Sequence, residues 1–309
     1  FNANDRLSIF VDMIMAKTKN QRKIILKKLG LLQKSDFVKI LKAMEGYKVT
    51  IRLLDPPLNE FLPNPEELLD KIYKNKSGKK LSDTKKVLER ARELAEVNPM
   101  MGHRGVRLGI TYPEIYEMQI RSVFEATAEL VKKKVNVKPQ IMIPQISSIS
   151  ELNHIKKIYD VIRSEMEKKH KVRLEINFGT MLEVVRACLT SDELASTAEF
   201  FSFGTNDLTQ TTFGFSRDDI GTFLPDYLER NILPEDPFQS LDVKGVGKLV
   251  SMAVKLGRGV KANLKIGLCG EHGGDPASIQ FCKENDLDYV SCSPFRVPVA
   301  RLAAAQAEF

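Results

Sequence analysis

The sequence predicts a parallel α/β fold, and three observations support this prediction. Short apolar runs recur along the chain, each typical of a strand that is buried on both faces. Longer amphipathic segments alternate with these runs, as helices do between parallel strands. The predicted strands end in polar side chains, and these are Arg52, Arg104, Glu183, Asn206 with Asp207, and Cys269, with Pro144 as the exception. Such convergence favours a (β/α)8 TIM-type barrel over a doubly wound sheet, which remains the alternative.

Length and composition fit one large barrel domain over 1–309. The 43% hydrophobic and 28% charged residues are typical of a soluble globular protein. No apolar run reaches the roughly 18 residues of a membrane span, so no membrane partner is expected. The net charge of +7 comes from lysines mixed with acids at helical spacing, without an aromatic platform. We therefore expect no nucleic-acid partner, while the positive field favours anionic substrates.

The four cysteines indicate a reducing compartment. They show no CxxC spacing, and a disulfide framework is not expected in a chain of this size. A cytoplasmic protein is therefore predicted, with an organellar matrix as the alternative. Cys188 and Cys282 fall at helix-core positions, whereas Cys269 and Cys292 lie at predicted strand ends.

The amino-terminal part of the chain is predicted to be mainly helical. Its elements are a helical region over 5–28 interrupted near Thr18–Gln21, a helix over Ser35–Glu45, a strand over Val49–Leu54, and helices over Pro65–Lys74 and Ser82–Val97. Ser35 is the predicted N-cap of the second helix, and Gly46 is its stop. The tract KNKSGKK is expected to be a loose surface loop. In GHRGVRLGI, glycines are expected to let the backbone around Arg104 and Arg107 approach closely.

The remaining elements alternate between strand and helix. The predicted strands are Gln140–Pro144, Leu174–Glu183, Phe200–Phe203, Lys265–Cys269 and Tyr289–Cys292. The predicted helices run from Pro113 to about Lys134, from a Ser150 cap to about His170, and over 190–199, 242–260 and 298–307. The proline-bearing stretch 214–241 is expected to be a long loop on the site face.

The stretch FFSFGTND, followed by LTQTTFGFSRDD, is the main candidate site. Asn206 and Asp207 lie just past a buried strand, where α/β proteins bind ligands, and Arg217 follows ten residues after Asp207. A carboxylate, an amide and a guanidinium suit a metal-bound anion. The alternative is an ordinary Asn-Asp turn that caps the next helix.

Glu183 supplies a second carboxylate. By strand count it neighbours Asp207, and two carboxylates at adjacent strand ends can share one Mg²⁺ ion that keeps sites for substrate oxygens. Arg52 and Arg217 would then hold a phosphate or carboxylate, as phosphoryl transfer requires. A salt-bridged residue at a barrel mouth is the alternative interpretation of Glu183.

Cys269 is the candidate acid, base or nucleophile. It lies between glycine-bounded turns, and a thiol near cations can lose and regain a proton. Cys292, in SCSP, is the rival by position. His103 and His272 flank the site, but a single histidine in a loop is more often structural.

Six stretches of the sequence together resemble one enzyme family. They are VTIRLLDPPLNEFLP, MMGHRGVRLGITYPEIYEMQ, GTMLE, FFSFGTNDLTQTTFGFSRDD, GLCGEHGGDP and YVSCSPFRVPVARLAAAQA, between residues 49 and 307. They are similar to the carboxyl-terminal phosphoenolpyruvate/pyruvate-binding domain of the pyruvate, phosphate dikinases, among the phosphoenolpyruvate-utilising enzymes. Phosphoenolpyruvate synthase and phosphotransferase-system enzyme I share the NDLTQ core, whereas EHGGDP and HRGVRLGITYPEIYEMQ look like the dikinases.

The resemblance implies a role for each candidate residue. Glu183 and Asp207 would bind Mg²⁺, Arg52 and Arg217 would hold the anionic ends of the substrate, Gly204, Thr205 and Asn206 would line the site, and Asp55 would lie beside Arg52. Cys269 would donate and accept the proton at the methyl or methylene carbon. Whether Arg104 or Arg107 assists stays open.

The implied reaction is Mg²⁺-dependent phosphoryl transfer between a phosphohistidine and the enolate of pyruvate, giving phosphoenolpyruvate. The phosphohistidine and nucleotide-binding domains of the same polypeptide would precede Phe1, as would the family's first two barrel strands and an arginine. A homodimer is also expected. Phosphoenolpyruvate synthase activity and a non-catalytic barrel for dimerisation or regulation remain the alternatives.

Two departures from the family pattern are visible. The family usually has a proline where this chain has Val185, and a Leu-Val-Gly-like run where this chain has QISS at 145–148. We expect neither departure to touch a proposed ligand.

Overall fold

The computed structural model describes residues 4–74 and 79–308, which divide into two compact units. The first unit is Phe1–Pro139 with Lys157–Ile176, and the second is Gln140–Lys156 with Asn177–Phe309. The centre of the KNKSGKK tract lies outside the described residues.

The first unit is mainly helical. Its elements are α1 (Asn4–Met15), α2 (Lys19–Ala43), β1 (Lys48–Arg52), α3 (Pro65–Lys74), α4 (Lys79–Glu93), α5 (Gly105–Thr111) and α6 (Pro113–Lys132). Helix α7 (Ile149–His170) begins in the second unit and ends in the first. The break near residue 18 is confirmed, because Thr18 caps α2 in a capping box with Gln21.

The prediction of a separate helix from Ser35 is wrong, because α2 runs unbroken to Ala43. A serine inside a helix costs only a few tenths of a kcal/mol, which tertiary packing readily offsets. Gly30 of α2 packs tightly on α6, where an added Cβ would lie 3.2 Å from Met118 Cγ. Ser122 Oγ also donates a hydrogen bond to Gly30 O at 3.1 Å. Packing on α6 therefore stabilises α2 as one continuous helix that includes Ser35.

The GHRGVRLGI segment is a helix, not a strand end. Arg104 is the N-cap of α5, so the prediction that it ends a strand is wrong. Val106 is fully buried, and Gly109 faces the Tyr116 ring, which an added Cβ would approach to 2.4 Å. The glycine here therefore serves close packing between α5 and α6.

The strands from β2 onward alternate with helices. The elements are β2 (Lys138–Ile143), β3 (Asn177–Leu182), α8 (Val185–Leu189), α9 (Ser191–Thr197), β4 (Phe200–Gly204), α10 (Thr205–Phe213), α11 (Leu224–Glu229), α12 (Val246–Val260), β5 (Lys265–Cys269), α13 (Pro276–Glu284), β6 (Tyr289–Ser291) and α14 (Val297–Gln306). The predicted loop 214–241 is thus interrupted by α11.

The sheet confirms the predicted α/β class. β2 to β6 lie in sequence order, and each neighbouring pair is parallel. A doubly wound sheet would reverse its order at a switch point, whereas these strands continue in one direction as in a TIM-type barrel. Six strands lie within the described residues, against eight in a closed barrel.

β4 forms the centre of this sheet. Its three phenylalanines, Phe200, Phe201 and Phe203, are each at most 1% exposed, as predicted for a strand covered on both faces. Each such side chain contributes roughly 1.5–3 kcal/mol by burial. The strand ends at Gly204, and α10 begins at the next residue, which places Asn206 and Asp207 just past the strand as predicted.

The cap of helix α7 lies two residues before the predicted one. Glu151 Oε2 accepts hydrogen bonds from the backbone of Ser147 at 2.7 Å and Ser148 at 3.0 Å, while Glu151 N donates to Ser148 Oγ at 3.4 Å. Ser148, not Ser150, is therefore the cap, in the reciprocal arrangement of a capping box.

Among the described helices, none is both long and apolar enough to cross a membrane.

Candidate active site

The first unit holds a cluster of one carboxylate and two arginines. Asp55 is 4% exposed, and its Oδ2 accepts from Arg104 Nη2 at 2.7 Å and lies 3.1 Å from Arg52 Nη1. Asp55 O also accepts from the N–H of Gly105 at 2.9 Å. Asp55 therefore lies beside Arg52, as the resemblance implied. The Arg52 side chain is 45% exposed, which leaves its guanidinium accessible to an anion.

The same cluster distinguishes Arg104 from Arg107. The Arg104 side chain is only 8% exposed and pairs with Asp55. Arg107 Nη1 instead donates to the Gly102 carbonyl at 2.7 Å, within its own loop. Arg104 is thus the arginine that shares a carboxylate with Arg52.

In the second unit, one glutamine contacts both predicted metal ligands. The backbone N–H of Gln145 donates to Glu183 Oε1 at 2.6 Å, and its side-chain Nε2 donates to Asp207 Oδ2 at 2.6 Å. Glu183 follows β3 and Asp207 follows β4, and these two strands pair directly. The structure therefore brings the two carboxylates to one residue.

The expectation that the QISS run touches no proposed ligand is wrong. Pro144 was the exception among the polar strand ends, but the next residue supplies the polar group for β2. Gln145 has a backbone φ of 60°, which turns the chain so that its N–H and its side chain both reach the carboxylates. The signal available in the sequence was a glutamine directly after a buried strand.

Gly204 leaves the space in which the Glu183 carboxylate lies. An added Cβ would be 2.5 Å from Glu183 Oε2 and 2.8 Å from Glu183 Cβ. Glu183 itself is 2% exposed, and a buried carboxylate requires compensating charge or hydrogen bonds. The lack of a side chain at Gly204 therefore allows the Glu183 carboxylate to lie in a buried position.

A buried histidine connects the ends of β4 and β5. His272 Nε2 lies 3.0 Å from the Pro237 carbonyl, so this nitrogen carries a hydrogen, and Nδ1 lies 2.6 Å from Thr205 Oγ1. Thr205 Oγ1 is also 3.1 Å from the Cys269 carbonyl. Burial lowers the pKa of the His272 imidazole. His272 therefore acts as a neutral support for the loop after Cys269.

Asn206 has a buried polar atom near the ends of β4 and β5. Its Oδ1 is buried and has no hydrogen-bond partner among the described residues. Such an atom is costly in an apolar surrounding, and a bound ligand or ion would satisfy it. Gly270, whose φ is 101°, lies alongside, because its added Cβ would be 3.2 Å from this oxygen.

Cys269 ends the strand beside β4. It pairs in register with Gly204, and its Sγ donates to the Phe203 carbonyl at 3.2 Å. The thiol is partly exposed, as is that of Cys292. The nearby Tyr289 hydroxyl donates to the Phe201 carbonyl, and burial raises the pKa of Tyr289 to about 12, so this phenol stays neutral.

We expect two of the four thiols to react quickly with a thiol reagent at pH 8. Cys188 and Cys282 are buried, as predicted, and burial raises the pKa of each to about 12, so both stay protonated there. Cys269 and Cys292 are the accessible pair. Absorbance titration of the native protein measures the count, and denaturant should release the other two. Four fast thiols in the native protein would contradict this assignment.

Arg217 is connected to Asp207 through Gln210. Gln210 Oε1 accepts from the N–H of Arg217 at 2.8 Å, and Gln210 Nε2 donates to Asp207 Oδ1 at 3.3 Å. The Arg217 side chain lines a cavity of about 630 Å³, together with Arg296 and Glu271. No ion pair joins it to Glu183 or Asp207 among the described residues.

Glu183, Asp207 and Asn206 present oxygen atoms of the kind that can bind Mg²⁺. Within residues 4–74 and 79–308, no three or more His, Cys, Asp or Glu side chains form a group that could hold a metal ion. Mg²⁺ is usually held by one or two carboxylates together with waters and substrate oxygens. Two carboxylates beside a buried amide oxygen without a partner match that pattern.

Comparison with known proteins identifies the family. Residues 8–309 match the model of the phosphoenolpyruvate-utilising enzymes' phosphoenolpyruvate-binding domain. The chain is 52% identical to pyruvate, phosphate dikinase of Entamoeba histolytica over 100% of this chain and 35% of that protein. It is 53% identical to the chloroplastic pyruvate, phosphate dikinase 1 of Arabidopsis thaliana over 99% of this chain and 32% of that protein. It is 49% identical to pyruvate, phosphate dikinase of Rhizobium meliloti over 99% of this chain and 34% of that protein.

The chain spans about a third of the length of the curated relatives it matches. The family match extends over nearly all of its residues and includes both units. The chain therefore belongs to the phosphoenolpyruvate-utilising enzymes, of which it contains the phosphoenolpyruvate-binding domain.

Proposed function

We propose that this domain binds Mg²⁺ with the enolate of pyruvate and serves the phosphoryl transfer that interconverts pyruvate and phosphoenolpyruvate, as part of a pyruvate, phosphate dikinase. One observation carries the proposal. Glu183 and Asp207 follow β3 and β4, and Cys269 ends the neighbouring strand β5, at the same edge of the sheet. Carboxylates for a cation and a thiol for a proton are thus available at one edge, where parallel sheets bind ligands.

The carboxylates would hold the ion. Glu183 and Asp207 would hold Mg²⁺, which when bound would supply positive charge for the oxygens of an enolate. Gly204, Thr205 and Asn206 line this position, and the buried Asn206 Oδ1 supports a ligand there. No other acidic group is needed, because substrate oxygens and water complete the coordination of Mg²⁺.

The arginines would bind the anionic ends of the substrate. Arg52 is half-exposed and oriented by Asp55, so it can offer a guanidinium to a carboxylate or phosphoryl group. Arg104 supports it by sharing Asp55. Arg217, positioned through Gln210, is the second proposed anion ligand.

Cys269 would handle the proton. The thiolate takes a proton from the C3 methyl group of pyruvate as the enolate forms, and the thiol returns it in the reverse direction. The enolate oxygen then forms a bond to phosphorus as the phosphorus–nitrogen bond of a phosphohistidine breaks. The imidazole nitrogen of that histidine leaves with the electron pair of the broken bond, so electrons and atoms balance.

The remaining partners would come from the same polypeptide. The relatives are about three times as long as this chain, which leaves room for phosphohistidine and nucleotide-binding domains. Delivery of the phosphoryl group within contact distance is what such a mobile domain would supply. We also propose that the whole protein is a homodimer.

We expect oxalate, a mimic of the pyruvate enolate, to bind this domain only when Mg²⁺ is present. The reason is that two carboxylates repel an oxalate dianion unless a divalent cation lies between them. Isothermal calorimetry with and without Mg²⁺ measures this dependence, with EDTA-treated protein as the control. Equal oxalate binding with and without Mg²⁺ would contradict the metal role, and no binding in either case would favour a non-catalytic barrel.

A further inference from the structure

Gln145 occupies a position between the two proposed metal ligands that no motif assigns to it. It is 2% exposed, and its two N–H groups donate to different carboxylates, Glu183 and Asp207, at 2.6 Å each. A carboxylate only accepts hydrogen bonds, so the amide must present its NH2 group to Asp207. The orientation of the Gln145 side chain is therefore fixed by its partner.

A second neighbour restricts the position of each of these two carboxylates. Glu183 lies against Gly204, where no side chain would fit, and Asp207 Oδ1 accepts from Gln210 at 3.3 Å. Gln145 holds one oxygen of each carboxylate, and each carboxylate oxygen has a second lone pair. A cation can therefore bind while both hydrogen bonds to Gln145 persist.

The backbone conformation of Gln145 makes both of its hydrogen bonds possible. Its φ of 60° is uncommon for a residue with a side chain, and it persists where the surrounding structure determines it. In this conformation the N–H reaches Glu183 while the side chain reaches Asp207. A leucine at this position could keep only the backbone hydrogen bond to Glu183.

We propose that Gln145 is a positioning residue that holds Glu183 and Asp207 in the arrangement that Mg²⁺ requires; this inference rests on the proposed function. The geometric demand of Mg²⁺ explains why such a residue matters. Mg²⁺ requires nearly ideal octahedral geometry, whereas Ca²⁺ accepts variable ligand numbers and distances. Fixing Asp207 therefore favours Mg²⁺ over Ca²⁺.

Two substitutions at Gln145 test its side-chain hydrogen bond to Asp207 while they keep its backbone hydrogen bond to Glu183. Gln145→Leu has a similar length but cannot donate to Asp207, and it keeps the N–H that bonds Glu183. Gln145→Gly also keeps that N–H and adopts positive φ without strain, so it guards against misfolding of the leucine variant. Gln280→Leu, on the exposed surface of α13, is the matched control.

We expect both Gln145 variants to bind Mg²⁺ about 10–100-fold more weakly, the usual cost of losing an outer partner of a metal ligand. Ca²⁺ affinity should fall less, so the ratio of the two affinities shifts toward Ca²⁺. Calorimetry with MgCl2 and CaCl2 alone measures both, and circular dichroism checks folding. A merely destabilised fold would weaken both ions equally.

The variant Glu183→Ala separates the two proposals. If it loses Mg²⁺ while both Gln145 variants bind as the parent does, the positioning role is overturned and the metal site stands. An equal loss of both ions in the Gln145 variants also overturns it. If the parent itself binds no Mg²⁺, the proposed function fails, and the role of Gln145 fails with it.

Discussion

Replacing Glu183 or Asp207 by alanine is expected to abolish Mg²⁺-dependent oxalate binding. These side chains are the two carboxylates that Gln145 joins, and either loss leaves one protein carboxylate for the ion. The effect should exceed the ~100-fold that loss of an outer partner can cost, because a ligand and a charge are both removed. Isothermal calorimetry with oxalate at saturating Mg²⁺ measures it.

The matched control is Glu229→Ala, which removes an exposed carboxylate at the end of α11 in the same unit. This variant should bind oxalate like the parent, since net charge alone is then changed. Thermal unfolding should confirm that the Glu183 and Asp207 variants remain folded. If both folded variants bind oxalate with parental affinity, the metal ligands have been assigned to the wrong residues.

The sequence was sufficient to predict the strands that carry this site. The Phe200–Gly204 strand and the Lys265–Cys269 strand are short apolar runs next to glycines, and burial on both faces requires such runs. Asp207 and Cys269 follow from them, because the carboxyl ends of parallel strands share one edge. Periodicity and turn signals therefore predicted where these side chains lie.

Gln145 could not be predicted by the same reasoning. Its contacts depend on a positive φ after Pro144, and local sequence does not specify that conformation for a glutamine. Ser35 and Arg104 failed for a related reason. A possible helix cap was incorporated into α2 by its packing on α6, and a glycine-flanked arginine became the N-cap of α5. Tertiary contacts decided all three positions.

Cys269→Ala is expected to abolish exchange of the pyruvate methyl protons with deuterated water in the full-length protein. The thiol is the partly exposed group at the end of β5, in register with Gly204 beside the carboxylates. The neighbouring phenol of Tyr289, with its pKa raised to about 12, is poorly suited to replace it. Mg²⁺ and oxalate binding should survive, because the thiol is not a proposed metal ligand.

Cys292→Ala is the matched control, since this second partly exposed thiol follows the adjacent strand β6. Proton NMR of the pyruvate methyl signal measures the exchange rate in each variant, and calorimetry measures oxalate binding alongside. The expected pattern is loss of exchange with intact oxalate binding in Cys269→Ala only. Exchange that is undiminished in Cys269→Ala but lost in Cys292→Ala would move the proton-transfer role to Cys292. If both variants exchange normally, His272 becomes the next residue to replace, because it contacts Thr205 at the same strand ends.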